Sequence, residues 1–383
     1  MSIRRFPKLY LRIVTQTPLL PDNEPIFNPF AQPSLEDNRP LLIAGPCSAE
    51  SLEQLRVVAA RLSQSKRVHL FRAGLWKPRT RPNTFEGKGE IALDWLAQIR
   101  AEFRLPVATE VASTEHVEAC LKAGLDVMWI GARTAVIPFA VQEIANALRG
   151  TRIPVLVKNP MHADLKLWLG AIERVESTVQ GPVWALHRGF SSYGMKDYRN
   201  APMWEIPIGL RACRSDIPML CDPSHIAGRR DLLSEVAQKA MDLGMHGLMI
   251  ETHPEPEKAL SDPEQQLTPA ALFRLLDDLV IREEQPTEVQ WSGLSSLRMQ
   301  MDSVDEQLIE LLASRMTLAR QIGELKIKEG ITILQLERWR EVFSTRTEWA
   351  KGRHLNVDFI QKMLEQLHKE SIRVQTEVQN RGK

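Results

Sequence analysis

The chain has 383 residues, of which 43% are hydrophobic and 25% charged, and its 49 Lys and Arg residues against 48 Asp and Glu residues leave a formal net charge of +1. This length and composition are typical of a globular protein with two or three domains and a sizeable core. The near-neutral charge gives no general attraction to nucleic acid or to a membrane surface, so strong anion binding must come from local groups of Arg and Lys. We therefore expect small anionic partners.

The N-terminal residues and the cysteines bear on location. Residues 1–20 contain no long apolar run, which predicts neither a signal peptide nor a membrane span. The four cysteines are too few for a disulfide framework in a chain of this length. A reducing cytoplasm is therefore the expected location.

Residues 1–38 contain six prolines and little periodicity, which predicts an N-terminal arm that is either extended on another surface or disordered. Between residues 39 and 282, short apolar runs alternate with amphipathic stretches such as 50–64, 90–102 and 231–243. The eight runs are 41–47, 68–74, 105–111, 126–132, 153–159, 182–188, 217–223 and 247–253. This repeated βα pattern predicts a TIM barrel. An open doubly wound sheet is the alternative, but eight units in about 240 residues favour a closed barrel.

The last part of the chain has a different pattern. A polar, proline-containing linker is predicted at 283–293, after a helix at 269–282, and marks a domain boundary before residues 294–383. Apolar residues then recur at three- and four-residue steps from Leu297 to Leu325, which predicts one long amphipathic helix. Further helices are predicted at 333–350 and 357–379. Three helices alone would form a thin core, so we expect this all-α domain to form an intertwined dimer.

Chemically active residues follow the predicted barrel strands. Because active sites of TIM barrels lie at the C-terminal ends of the strands, we expect these residues to share one mouth. They are Cys47, Lys77, Arg79, Arg133, Lys158, Arg188, His225, Glu251 and Asp262. A thiolate, an imidazole and two carboxylates favour a transition metal (Mn, Fe, Co or Zn) over Mg or Ca. Each residue alone is more typical of a structural role, but their shared position favours a metal site.

Three of the cations indicate the charge of the substrate. Arg133, Lys158 and Arg188 come directly after apolar strands, where an unpaired positive charge would be costly. Most Lys and Arg residues only solvate a surface, which is the alternative interpretation. Their position at the strand ends favours binding of an anionic substrate.

Six strings in the barrel carry a family resemblance: AGPCSAES (44–51), KPRT (77–80), GART (131–134), VKNP (157–160), CDPSH (221–225) and ETHPEPEKALSD (251–262). Together they resemble the 3-deoxy-D-arabino-heptulosonate 7-phosphate (DAHP) synthases of the type I β subgroup, and the resemblance runs from about residue 39 to residue 282. It implies a metal-dependent condensation of phosphoenolpyruvate with erythrose 4-phosphate.

The same resemblance implies roles for individual residues. The divalent metal would be bound by Cys47, His225, Glu251 and Asp262. Phosphoenolpyruvate would be bound by Arg72, Lys77, Arg133, Lys158 and Arg188, with Lys77 also the expected proton carrier. The phosphate of erythrose 4-phosphate would be bound by Arg79 and Thr80.

Two features concern the limits of this resemblance. The nearest alternative is a 3-deoxy-manno-octulosonate 8-phosphate synthase, which uses the same enol donor with a five-carbon sugar phosphate. Such relatives usually carry an Ala-Asn-Arg-Ser type loop after the lysine where this chain has KPRT, which argues against them. Where relatives often have glutamate before the phosphate-binding arginine, this chain has His187.

The long helix of the last domain carries two cations that share a face. Arg315 and Lys326 are eleven residues apart, which returns to within about 20° of the same direction on an α-helix. Both are expected to point into the bundle, where a pair of like charges favours an anion. Arg298 lies about 100° around the helix from Arg315 and suits the pocket of a partner subunit. The alternative is a plain helical dimer whose Arg and Lys extend to solvent.

Residues 294–379 resemble the all-helical chorismate mutases, on the strings SVDEQLIELLASR (303–315) and GELK (323–326). The resemblance implies rearrangement of chorismate to prephenate. The carboxylates of chorismate would be bound by Arg298 of the partner subunit, Arg315 and Arg338. Lys326 and Gln375 would face the ether bond that breaks, and Ser371 would assist. Two positions that are commonly acidic in the family hold Gln335 and Trp339.

A regulatory role for this domain is the alternative to catalysis. The retained cations would equally suit a module that senses chorismate or prephenate. The barrel reaction opens the pathway to chorismate, and the sequence predicts no separate regulatory domain. We therefore expect feedback on the barrel through the helical domain, with prephenate as the effector.

Overall fold

Eight parallel strands form a closed barrel in which each strand is hydrogen-bonded to the next and the eighth returns to the first. The strands are β1 (Leu41–Gly45), β2 (Leu70–Arg72), β3 (Val107–Val111), β4 (Val127–Ile130), β5 (Val155–Lys158), β6 (Val183–His187), β7 (Met219–Cys221) and β8 (Gly247–Glu251). Each strand lies inside one of the eight apolar runs of the sequence. The prediction of a TIM barrel is confirmed.

The computed structural model describes residues 40–77, 84–194, 197–282 and 288–381. The predicted arm at 1–38, the pair Arg79 and Thr80, and residues 283–287 of the predicted linker lie outside the described residues. The chain divides into two compact units, with the boundary between Glu284 and Gln285. No described helix is both long enough and apolar enough to cross a membrane.

Helices alternate with the strands of the first unit, and five of them begin at a capping side chain. Those described are α1 (Leu52–Ser63), α2 (Ile91–Phe103), α3 (Thr114–Lys122), α4 (Pro138–Ala147), α5 (Leu165–Glu176), α6 (Glu205–Cys213), α7 (Pro223–Ala227), α8 (Leu233–Asp242) and α9 (Pro269–Asp278). Side-chain oxygens of Ser51, Ser113, Asp164, Asp222 and Thr268 accept hydrogen bonds from backbone N–H groups in the first turns. Such caps satisfy donors that have no partner within the helix.

The interior of the barrel is filled by apolar side chains. The inward-facing core is formed by Leu41, Ile43, Leu70, Ala108, Val127, Trp129, Leu156, Trp184, Leu186, Leu220 and Met249. Alternate residues, such as Leu42 and Ala44, pack outward against the helices. Because side chains fill the interior of the barrel, a binding site must lie at the ends of the strands.

The second unit contains three long helices. They are α10 (Glu288–Lys328), α11 (Leu336–Lys351) and α12 (Val357–Arg381). The all-α prediction is confirmed, although α10 begins inside the segment predicted as a linker, so residues 288–293 are helical. No proline follows Pro286 in the sequence, which leaves nothing to interrupt these helices. A small core lies between α11 and α12, at Ala350, Ile360 and Leu364.

Candidate active sites

Three potential metal ligands meet at the C-terminal end of the barrel. Cys47 comes two residues after β1, Glu251 ends β8, and Asp262 lies in the loop that follows β8. Their ligand atoms all lie within 4.8 Å of one another. The Cys47 Sγ atom is 3.2 Å from Asp262 Oδ2, and both Cys47 and Glu251 are fully buried. The strands thus bring together residues that are far apart in sequence.

The chemistry of these three residues fits a divalent transition metal. The Glu251 Oε1 atom is buried and makes no hydrogen bond, although it forms an ion pair with Arg72, so a lone pair stays available for a ligand. Burial and the neighbouring Glu251 carboxylate raise the pKa of the Cys47 thiol to about 12, so the thiol keeps its proton until a cation replaces it. One sulfur and two carboxylate donors favour a transition metal over Mg or Ca.

His225 adjoins this cluster but is not one of the three residues that share the 4.8 Å limit. It lies on α7, and its Nε2 atom is 3.7 Å from Glu251 Oε1. On the other side of the ring, Nδ1 is 2.8 Å from Oδ2 of the buried Asp222. Burial lowers the pKa of His225, which favours the neutral imidazole that metals bind. Asp222, which the sequence analysis did not single out, orients this ring and caps its helix.

The carboxylates of Glu251 and Asp262 are held ionised by neighbouring cations. Burial would raise the pKa of Asp262, but the charges of Arg199 and Lys77 and the hydrogen bond from Cys47 lower it below its usual value. Burial would likewise raise the pKa of Glu251, and the charges of Arg72 and Lys77 lower it. Both carboxylates are therefore available as anionic ligands at neutral pH.

Two of the predicted substrate-binding cations touch the cluster directly. The Lys77 Nζ atom lies 3.1 Å from Cys47 Sγ and also donates to the carbonyl oxygen of Cys47. Arg72 is buried, and its Nη2 atom is 3.1 Å from Glu251 Oε1 and 3.2 Å from the carbonyl oxygen of Cys47. Its guanidinium group lies over the Trp129 ring, 4.9 Å from the centroid.

The remaining cations form a second positive group beside the first. Lys158 is buried and paired with Asp222 at 2.9 Å. Arg188 is only 5% exposed, and no carboxylate among the described residues forms an ion pair with it or with the exposed Arg133. Burial, together with the positive charges of Arg199 and Arg133, lowers the pKa of Arg188 to about 10. A buried guanidinium repelled by two others favours a bound anion.

Sequence reasoning missed several residues that contact the predicted ligands. Arg199 donates from Nη1 to Asp262 Oδ1 at 3.0 Å and to Gln265 Oε1. A cavity of about 480 Å³ opens beside this contact, lined in part by Tyr198, Gly228 and Arg229. Nothing in the local sequence marks these residues, because the contacts join positions 63 or more residues apart.

The second unit contains a separate polar site between α10 and α12. Arg315 donates from Nη1 to Ser371 Oγ at 2.6 Å and to the carbonyl oxygen of Leu367 at 3.1 Å. One turn further along α12, the buried Gln375 has an Oε1 atom without a hydrogen bond. Gly323 permits this packing, since a Cβ atom there would lie 3.2 Å from the Cα atom of Gln375. Predicted residues from both helices thus meet.

Lys326 and an unpredicted histidine belong to the same site. Burial and the positive charges of Arg315 and Lys326 lower the pKa of His368, so both cations lie near that ring. His368 stacks on Trp339, one of the two departures from the family pattern, with ring centroids 4.0 Å apart. Burial and the charge of Arg346, which the sequence analysis also missed, lower the pKa of Arg315. The site is therefore strongly positive.

The structure does not bring the other two predicted arginines into this site. Arg338 is exposed and paired with Glu341 at 2.7 Å. Arg298 is exposed on α10, seventeen residues before Arg315. Gln335, the second departure, is exposed at the start of α11.

A TIM barrel with a cluster of potential metal ligands and with cations at its mouth is typical of a barrel enzyme that acts on small anions. The chain belongs to the DAHP synthetase I family, whose family model matches residues 34–285. The chorismate mutase type II model matches residues 297–376. The chain is therefore an enzyme with a DAHP synthase domain and a chorismate mutase domain, as its sequence predicted.

One relative and one solved structure agree by name with the family match, whereas a second relative is named as a phosphooctonate aldolase. A phospho-2-dehydro-3-deoxyheptonate aldolase of Thermotoga maritima is 34% identical over 239 residues, which cover 62% of this chain and 67% of that protein. A crystal structure of such a DAHP synthase from Thermotoga maritima aligns with a TM-score of 0.56 and 30% identity, over 63% of this chain and 68% of that chain. A 2-dehydro-3-deoxyphosphooctonate aldolase of Helicobacter pylori is 29% identical over 277 residues, which cover 63% of this chain and 95% of that protein.

Proposed function

We propose that the barrel condenses phosphoenolpyruvate with erythrose 4-phosphate to DAHP with the help of a divalent transition metal, and that the helical domain rearranges chorismate to prephenate. The observation that carries the first activity is the cluster of Cys47, Glu251 and Asp262 beside buried cations. The proposed domains are residues 39–282 and 294–383, with an arm at 1–38 and a linker at 283–293.

The metal would be held by Cys47, Glu251 and Asp262, with His225 beside them as the fourth proposed ligand. When bound, a divalent metal supplies a Lewis acid for the aldehyde of the sugar, which makes its carbon electrophilic toward C3 of the enol. The donors suit Mn, Fe, Co or Zn.

Since Cys47 must be a free thiol to act, and it is free here, we propose the reducing cytoplasm as the location.

Phosphoenolpyruvate carries a phosphate and a carboxylate, which match the two groups of cations. We assign its binding to Arg72, Lys77, Arg133, Lys158 and Arg188. The unpaired charges of Arg188 and Arg133 suit an anion that loses its phosphate during the reaction, because preorganised positive charge stabilises the charge that develops. Lys77 is the proposed proton carrier, since its Nζ atom is at the edge of the ligand cluster, 3.1 Å from Cys47 Sγ.

The sugar substrate is tested by a change of substrate and by one substitution. Because Arg79 and Thr80 are assigned to the sugar phosphate, erythrose 4-phosphate should be turned over much faster than arabinose 5-phosphate. Arg79→Ala should raise KM for erythrose 4-phosphate by about 10- to 100-fold, the cost of one lost charge-assisted hydrogen bond. KM for phosphoenolpyruvate should not change in this variant. The control Arg61→Ala, at an exposed arginine, should leave KM for both substrates unchanged. Equal turnover of both sugars would refute the assignment.

The helical domain needs only to position its substrate, because the rearrangement is unimolecular and involves no proton transfer. We assign one carboxylate of chorismate to Arg315, which Ser371 fixes, and the ether oxygen to Lys326 and Gln375. The assignment of the other carboxylate to Arg338 rests on the family resemblance, because its exposed side chain is paired with Glu341 in the single chain. The positive charges of Arg315 and Lys326 around His368 support an anionic ligand. Arg298 would enter the site from a partner subunit.

A homodimer is proposed from the exposed apolar stripe on α10. The stripe consists of Leu297, Met301, Val304, Leu308, Leu311, Leu318, Ile322 and Leu325, each of which is exposed in the single chain. Apolar side chains that repeat along 29 residues of one helix are costly in water, and a second copy of the helix would cover them.

The shared site gives a sharp test of this dimer. Arg298→Ala and Arg315→Ala homodimers should each have little mutase activity. If Arg298 acts across the interface, a heterodimer of the two variants keeps one intact site, and should recover about half of the wild-type activity. The heterodimer is isolated by coexpression with two different affinity tags. An inactive heterodimer would show that Arg298 acts within its own subunit, and a fully active Arg298→Ala homodimer would show that it takes no part.

His187 provides a test of the barrel that does not depend on activity. Its ring is buried among Trp168, Phe190 and Trp204, and burial lowers its pKa to about 3. The unfolded chain protonates this residue near its ordinary pKa of 6.5. Stability from a neutral His187 is therefore complete above pH 6.5 and is lost as the pH falls toward 3.

His187→Phe should remove this pH dependence. The free energy of unfolding of the wild type, relative to the variant, should fall by about 1.4 kcal/mol for each pH unit below 6.5, the slope for one proton. Urea unfolding of both metal-free proteins between pH 7.5 and 4.5 measures the difference. Parallel curves would show that His187 is not buried in its neutral form.

A further inference from the structure

Two adjacent glutamines lie against the three proposed metal ligands and belong to no role assigned so far. Gln265 is 1% exposed and Gln266 is fully buried, in the loop between Asp262 and α9. A buried amide is retained only when its donor and its acceptor are both satisfied. Both glutamines meet that condition entirely through the ligand residues and their neighbours.

Gln265 connects the two carboxylates. Its Nε2 atom donates to Glu251 Oε2 at 2.6 Å, and its Oε1 atom accepts from Arg199 Nη1 at 2.5 Å. Arg199 Nη1 also donates to Asp262 Oδ1 at 3.0 Å. These bonds use one oxygen of each carboxylate. They leave Glu251 Oε1, which makes no hydrogen bond but lies 3.1 Å from Arg72 Nη2, and Asp262 Oδ2, which faces Cys47 Sγ, for an ion.

Gln266 connects the thiol to the same loop. Its Oε1 atom accepts from the backbone N–H of Cys47 at 2.9 Å, and its Nε2 atom donates to the carbonyl oxygen of Ser261 at 2.8 Å. Ser261 precedes Asp262, whose backbone has a φ of +48°, a left-handed conformation that is uncommon for a residue other than glycine. The two hydrogen bonds of Gln266 therefore restrain Cys47 and the backbone next to Asp262.

We propose that Gln265, Gln266 and Arg199 are positioning residues, which hold Cys47, Glu251 and Asp262 at the spacing that a divalent transition metal requires. The inference rests on the proposed metal-dependent function. Without a cation, two carboxylates this close repel each other, and Arg199 offsets that repulsion while Gln265 fixes their separation. An amide is needed at Gln265, because the group must donate to Glu251 and accept from Arg199 at once.

Metal affinity is the direct readout of this role. The metal-free full chain is titrated with Co²⁺ in competition with a chromophoric chelator, and the thiolate-to-cobalt charge-transfer band reports ligation by Cys47. We expect Gln265→Met and Arg199→Met each to weaken Co²⁺ binding by about 10- to 100-fold, as is typical when a group that orients a ligand is removed. The double variant should lose less than the product of the two effects, because the residues act through one chain of hydrogen bonds.

The controls separate this inference from the function on which it rests. Gln238 lies on α8, away from the proposed ligands, and donates from Nε2 to the carbonyl oxygen of Val280. Gln238→Met should therefore leave Co²⁺ affinity unchanged. Arg199 is partly exposed, so its variant tests the proposal even where Gln265→Met fails to fold. Wild-type protein that binds no Co²⁺ through a thiolate would overturn the metal-dependent function itself. Wild-type binding with equal affinity in both variants would overturn only the positioning role.

Discussion

Cys47→Ala is expected to abolish the condensation and leave the mutase unchanged, and a chelator is expected to do the same to the wild type. Cys47 supplies the only sulfur among the proposed ligands, and its removal opens the cluster with Glu251 and Asp262. The loss should exceed the roughly 100-fold effect of removing a group that only orients a ligand. Both reactions are measured on the same preparation, with and without added Mn²⁺, Fe²⁺, Co²⁺ or Zn²⁺.

Cys120→Ala is the matched control, because Cys120 is also a buried free cysteine but lies on α3. It should keep both activities. Since the mutase needs no metal, loss of both reactions on chelation would contradict the assignment of the metal to the barrel. Full condensation activity in Cys47→Ala would remove that residue from the site.

Arg315→Ala is expected to reduce mutase activity by about 10²- to 10³-fold, the effect of losing one preorganised charge donor, while the condensation continues at the wild-type rate. Arg315 is the residue that joins α10 to Ser371 and the carbonyl of Leu367, so its loss removes both charge and order from the site. Steady-state assays of prephenate formation measure the change. Arg320→Ala, an exposed arginine on the same helix, is the control.

The same variant tests whether the helical domain regulates the barrel. We propose prephenate as the feedback effector, acting through this site, and prephenate inhibition of the condensation should then disappear in Arg315→Ala and in a chain truncated after residue 285. For such coupling the effector must bind two arrangements of the protein with different affinity. Undiminished inhibition in the truncated barrel would place the effector site elsewhere.

Much of the architecture follows from the sequence because most barrel strands are largely apolar and buried on both faces. The strand ends could therefore be located, and with them Lys158, Glu251 and the residues that follow β1 and β7. Helix α7 escaped prediction because five residues are too few to show periodicity, although Asp222 and Pro223 are a recognisable start.

The residues that orient the ligands could not be predicted. Gln266 contacts Cys47 across 219 positions and Gln265 contacts Glu251 across 14, and neither spacing corresponds to a local pattern. In the helical domain, the face shared by Arg315 and Lys326 followed from the helical repeat, whereas the stacking of Trp339 on His368 depends on how α11 packs against α12. Periodicity gives the face of an element, and packing between elements decides which residues meet.

We propose that one chain performs two reactions at two separate sites. The most direct measurement incubates purified full-length protein with phosphoenolpyruvate and erythrose 4-phosphate, and separately with chorismate, each with and without a chelator. Release of phosphate with formation of DAHP only in the presence of metal, and formation of prephenate in both conditions, is the predicted result. Absence of either product from the untreated protein, or formation of DAHP at the full rate under chelation, would contradict it.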